Sequence, residues 1–229
     1  MNQQITSLAA TFKTVDASGI KNAADFPSGS MGAQQFALVH AAVPLTASLG
    51  AAQVSGTGQA HGGVLSKVAG RFHLREDLHG ISEAAHSLAL LGTAGLDGKF
   101  HKPRSSGDQA LLNSARAFAA DAVAFQAPFI SLGLPATFIT QLGTDITAFE
   151  AAIKDKGAGV GAQAGATGGL EDTAHKAAVA LHVLNTVVKN TYKNNPAKLA
   201  EWTTASHVEK HTPVPRAKPA ATPTPAPAK

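Results

Sequence analysis

The 229-residue sequence has no cysteine, one tryptophan and one tyrosine, and only 15 % of its residues are charged. An average soluble domain carries about a quarter. The missing thiols exclude a disulfide-stapled mini-protein, a cysteine-based zinc module, a thiol enzyme and a c-type haem protein. They leave the redox compartment open, because a thiol-free chain is indifferent to it. No stretch alternates β-branched with polar residues, so strands are not expected. Residues 1–19 have no charged segment ahead of an apolar core, and no secretory signal is expected. The most apolar stretch, residues 37–54, is broken by His40, Pro44, Thr46, Ser48 and Gln53. A bilayer span takes about 20 mainly apolar residues, so the stretch reads as soluble and the protein as cytoplasmic.

What is present is alanine, 46 of them, within a hydrophobic content of 44 %. That is too apolar for a wholly disordered chain. The net charge of +4 is unevenly placed, since Lys210, Arg216, Lys218 and Lys229 face only Glu209 in residues 208–229. Six of the twelve prolines also fall there, between Pro213 and Pro227. Proline removes backbone donors and favours extended chain, so residues 208–229 are expected to be a disordered tail. Residues 1–207 are expected to form one nearly neutral helical-bundle domain, with no basic face for a phosphate backbone.

Inside that domain, apolar residues recur at spacings of three and four, the mark of one helix face. Leu38, Ala42, Leu45, Leu49 and Ala52 form a first stripe, which Pro44 should kink or split. A second runs Leu74, Leu78, Ile81, Ala85, Leu88, and a third Leu111, Ala115, Phe118, Ala122, Phe125. A fourth, opened by Pro135, continues through Phe138, Leu142, Ile146, Phe149 and Ile153. The fifth is Ala177, Leu181, Leu184 and Val188. Asn195-Pro196, an N-cap followed by proline, starts a short sixth helix carrying Leu199 and Trp202. Residues 3–14 suit another short helix. Trp202 and the phenylalanines at 100, 118, 125, 129, 138 and 149 read as core anchors. The fold class is all-α, an up-and-down bundle of four or five main helices with short accessory helices.

Two Gly-rich segments, residues 50–63 and 157–169, interrupt the pattern. Glycine in a helix costs about 1 kcal/mol relative to alanine, so both read as flexible connections. The sharper alternative is close helix approach through small residues. Neither is a nucleotide loop. Gly56-Thr57-Gly58 and Gly159-Val160-Gly161 lack the third glycine and the preceding strand of the dinucleotide fingerprint.

Ten histidines are many for so few charges. Glu83-Ala84-Ala85-His86 matches Glu-x-x-His, and Asp172-Thr173-Ala174-His175 is its aspartate analogue. Two such motifs, with further acids such as Glu150, would resemble the ligand set of a di-metal bundle for iron, manganese or zinc. Heptad position argues against it. Glu83 and Asp172 fall at f and His86 and His175 at b, so all four are predicted to face outward. No serine-nucleophile elbow is present, and Glu76-Asp77 and Glu171-Asp172 read as ordinary acids near helix starts or exposed faces. Arg71 takes a seam position; its guanidinium should snorkel to the rim, the alternative being an ion pair with Asp121 or Asp145.

Several runs belong together: Arg71 to Ile81, Leu111-Leu112 with Ala115 to Phe118, Gly133 to Phe138, and Asn195-Pro196 with Trp202 to Ala205. The arrangement resembles a group of uncharacterised bacterial helical-bundle proteins with Pro-rich C-terminal tails, over about residues 66–207. The resemblance implies an all-helical fold and carries no functional residue. The expected function is a non-enzymatic interaction or structural role, with a homo-oligomer or another protein as partner. The alternatives are the metal-binding bundle and weak nucleic-acid or anionic-surface binding through the basic tail.

Overall fold

The computed structural model describes residues 3–93, 95–103 and 107–208. The expected tail therefore lies, past Val208, outside the described residues. Those residues are all-α, with no strand among them. Seven α-helices follow in order: α1 Gln3–Lys21, α2 Met31–Leu90, α3 Leu96–Lys99, α4 Asp108–Ala122, α5 Gln126–Ser131, α6 Phe138–Thr191 and α7 Pro196–Ala205. Short 3₁₀ turns cover Ala23–Asp25 and Val123–Phe125.

Two helices are far longer than the sequence pattern suggests. Helix α2 has 60 residues and α6 has 54, so each joins two of the expected stripes. The Gly-rich segments 50–63 and 157–169 are not flexible connections; both are helical throughout. Helix α2 also runs unbroken through Pro44, at the cost of one intrahelical hydrogen bond. Pro135 does not open α6, which begins three residues later at Phe138.

Helix ends follow local chemistry. The Ser30 hydroxyl accepts from the Ala33 amide, capping α2. After α2, Gly92 has φ +99° and donates to Ala89 O while Thr93 N donates to Leu88 O. Gly133 repeats the arrangement after α5 at φ +98°, with bonds to Ile130 O and from Leu134 N to Phe129 O. Both are Schellman ends, in which glycine takes the left-handed position without a Cβ penalty. Asn195 caps α7 as expected, its side chain accepting from Lys198 N at 3.1 Å. Asn195→Ala is expected to lower stability by about 1 kcal/mol, read from denaturant unfolding; an unchanged midpoint would assign the cap no weight.

The chain forms two compact units, Met1–Ala47 with Leu170–Lys229, and Ser48–Gly169. In the first, Phe12, Val15, Val39, Ala42, Leu184, Val188 and Trp202 are buried together. The inward face of α2 here is Val39 and Ala42, whereas Leu38 and Leu45 of the expected stripe are about half exposed. Trp202 donates to Asn185 Oδ1 at 2.9 Å and meets Phe36 edge-on. Asp25 accepts from the Tyr192 hydroxyl and the Lys198 ammonium. Lys198 foremost, then Tyr192, holds the Asp25 carboxyl below the usual carboxylate range.

In the second unit most of the expected stripes is core: Leu74, Leu78, Ile81 and Ala85; Leu111, Ala115, Phe118 and Ala122; Phe138, Leu142, Ile146 and Phe149, with their last members Leu88, Phe125 and Ile153 only partly buried against it. Phe100 packs edge-on against Phe118 and Phe129. Away from this cluster, glycine makes the contact between α2 and α6. A Cβ at Gly159 would lie 2.3 Å from Ala60 N, one at Gly63 2.5 Å from Lys156 N, and one at Gly56 2.7 Å from Gln163 N. The backbones therefore touch, and Gly56, Gly63 and Gly70 recur at seven residues because that spacing returns to one helix face. Gln53 Nε2 adds a hydrogen bond to Thr167 Oγ1 at 2.8 Å.

Candidate functional site

The sequence-predicted metal residues are spread over both units. Glu83 and His86 are exposed on α2, and Glu83 Oε1 lies 3.6 Å from His79 Nδ1. Glu150 accepts from Arg116 at 2.7 Å. Asp172 and His175 are exposed on α6, with Asp172 on Lys176 at 2.7 Å. Among the described residues, no group of three or more His, Cys, Asp or Glu is gathered to hold a metal ion. Adding stoichiometric Fe²⁺, Mn²⁺ or Zn²⁺ is therefore expected to leave the melting temperature unchanged. Because a ligand bound only by the native state stabilises it, a rise of several degrees would restore the metal reading.

Arg71 does not snorkel free, and it meets neither Asp121 nor Asp145. Its guanidinium bonds the carboxylate of Asp108, the first residue of α4, together with Lys67. The three side chains are 22–29 % exposed. Lys67 principally, opposed by partial burial and helped by Arg71 and Lys156, holds the Asp108 carboxyl low. Asp108 was hard to find from sequence, because nothing in α4 announces its partners on α2.

One acid departs from the surface reading. Asp77 is partly buried, and its Oδ2 atom is fully buried with no hydrogen-bond partner. It borders a cavity of about 370 Å³ lined by Glu76, Gly80, Ile81, Leu134, Pro135, Thr137, Phe138 and Gln141. Asp145 of α6 is its neighbour and accepts from Gln141 Nε2 at 3.1 Å. Burial first, then the Asp145 carboxyl, pushes the Asp77 carboxyl up to about 6; His73 opposes and Glu76 reinforces. A proton on Asp77 gives the pair a donor, and its loss sets two carboxylates against each other. In sequence, Asp77 is simply the residue before Leu78, and only the approach of α6 distinguishes it from Glu76.

The largest unexplained feature is apolar. On α2, Val54, Leu65, Val68 and Phe72 are 60–70 % exposed. At 100° per residue they share one face with Gly58 and His61, about 180° from the Gly56, Gly63 and Gly70 seam. Between Asp25 and Lys67 the chain has no Asp, Glu, Lys or Arg, so much of this face is also free of charge. By length and composition alone, α2 could cross a membrane. Residues 37–54, too short and too polar by themselves for a span, are here part of a 60-residue helix.

The chain matches no protein-family model, no curated protein and no solved structure. Function here rests on the residues themselves. The acids and histidines of the metal reading sit mostly in ordinary exposed pairs, whereas no element among the described residues covers the apolar row on α2. Single exposed apolar residues need no explanation, whereas a row of them along one helix face does.

Proposed function

We propose that this chain is a non-enzymatic helical protein with an interaction or structural role, working through the outer face of α2. The observation that carries this reading is the row Val54, Leu65, Val68 and Phe72, more than half exposed on one face of a helix. Leaving them in water forfeits hydrophobic stabilisation of roughly 25 cal/mol per Å² of apolar area. A covering partner recovers that stabilisation. The charged groups add support, because Asp16–His40, Glu150–Arg116 and Asp172–Lys176 are already paired. An oligomer built from this surface is part of the proposal.

The test is a photocrosslinking amino acid at position 68 of the full chain in living cells, with position 144, an exposed threonine on α6, as control. Higher-mass adducts are expected from 68 and not from 144. No adduct at 68, or equal adducts at both, would overturn the reading.

A further inference from the structure

The apolar row on α2 has a spacing that goes beyond exposure. Val54, Gly58, His61, Leu65, Val68 and Phe72 are separated by four, three, four, three and four residues, the alternation of a coiled-coil seam. All six are exposed. The inner seam occupies the opposite side of the same helix, so α2 carries two contact faces and α6 covers one. The outer row lies wholly within Ser48–Gly169.

We propose that the outer row is covered by a second copy of this chain, with the two α2 helices antiparallel about a two-fold axis near residue 63. This deepens, and rests on, the interaction reading above. Size and charge favour the second copy. Antiparallel seams place a against d positions, so Val54 faces Phe72 of the other copy, Gly58 faces Val68, and His61 faces Leu65. Each bulky side chain then meets a smaller or flatter one. A parallel pair would stack Phe72 on Phe72 and leave Gly58 opposite Gly58, a crowded layer and an empty one. A Cβ at Gly58 would touch nothing within 4 Å in the protomer, so its own fold gives no reason for glycine there. None of the six positions bears a formal carboxylate, ammonium or guanidinium, so pairing buries no charged side chain from the row.

Area places the pair among small interfaces. Four side chains at this exposure present on the order of 400 Å². With His61 and the small residues between them, two copies would remove about 1,000 Å² of total surface, the low end for specific interfaces. The expected complex is therefore weak, with a Kd on the order of 10 μM.

Sedimentation of the full chain from 1 to 300 μM tests the stoichiometry, and is expected to show monomer passing to dimer. Val68→Glu, at an exposed position, should weaken the dimer at least tenfold with the helical spectrum unchanged. Gly58→Leu should do the same without lowering the melting temperature. The natural absence of cysteine lets engineered thiols report the register. The pair Gly58→Cys with Val68→Cys should crosslink rapidly. Either single variant should crosslink slowly, because like positions lie about 15 Å or more apart along antiparallel helices.

A monomer throughout the range, or a dimer indifferent to Val68→Glu, would overturn the second copy as occupant. Rapid crosslinking through single Gly58→Cys would overturn the antiparallel register. Binding of the monomer to phosphatidylcholine–phosphatidylglycerol vesicles, lost in Val68→Glu, would assign the row to a lipid surface instead. The two proposals fail differently. Adducts at position 68 with other proteins, from a chain that stays monomeric, retain the interaction reading and remove self-pairing. No adducts at all remove both.

Discussion

Gly159→Ala is expected to lower stability by about 2–3 kcal/mol, although alanine is the better helix former by about 1 kcal/mol. A methyl group at 159 would lie 2.3 Å from the amide nitrogen of Ala60 and 2.8 Å from the carbonyl oxygen of Gly56. Both are backbone atoms of a packed helix, so relief requires α2 and α6 to separate locally. That separation costs dispersion contacts along the seam. Gly161 supplies the control, being two residues away in the same helix with nothing within 4 Å of its missing Cβ. Gly161→Ala should therefore stabilise by about 0.5–1 kcal/mol. In thermal unfolding the first variant is expected to melt about 5–10 °C lower and the second slightly higher. Equal shifts, or a gain at 159, would show that the helices do not touch through glycine.

Asp77→Asn should stabilise the protein at pH 8 by about 2 kcal/mol and at pH 4 by almost nothing. The sign follows from the proton count. The Asp77 carboxyl is held at about 6 in the folded chain, above its ordinary 3.8, so between those values the folded state binds more proton than the unfolded one. Stability must fall as pH rises through that window, and the penalty is complete above pH 6. The full shift corresponds to about 3 kcal/mol, reduced because the carboxyl is partly in contact with water. Asparagine removes the charge, and its amide can donate to Asp145. Asp25 and Asp108 act oppositely: both are held low, so their contribution is present above about pH 4 and lost below it. Denaturant midpoints of both proteins from pH 4 to 8 separate the terms, because only the Asp77 slope vanishes in the variant. Parallel pH profiles for the two would refute the buried pair.

The seam glycines and Asp77 are the residues about which periodicity says least. A count of glycines treats each as a helix breaker, which is correct for a helix in water. In a helix pressed against another backbone, the missing Cβ is what allows contact, and the penalty is offset by packing. The recurrence of Gly56, Gly63 and Gly70 at seven residues was the available signal. Asp77 offered none, since its environment comes from α6. Arg71 was correctly placed on a seam, yet its partner is Asp108, 37 residues away in sequence.

Composition and periodicity by themselves determined that the described residues are all-α, and they located most of the core but not the inward face of α2 before residue 53. Leu74 to Ala85, Leu111 to Ala122, Phe138 to Phe149 and Ala177 to Val188 are buried where their three-and-four spacing placed them. Such spacing reports an apolar face directly, because burying it is the main stabilisation available to a helix with so few charges. The outward placement of Glu83, His86, Asp172 and His175 was legible for the same reason. Only tertiary structure decided how many helices there are, which glycines face a neighbour, and which apolar residues stay in water. A helix with apolar residues on two faces shows little net amphipathicity, so its second face becomes visible only when a partner covers the first. On α2, helix α6 covers the glycine face and leaves Val54, Leu65, Val68 and Phe72 exposed.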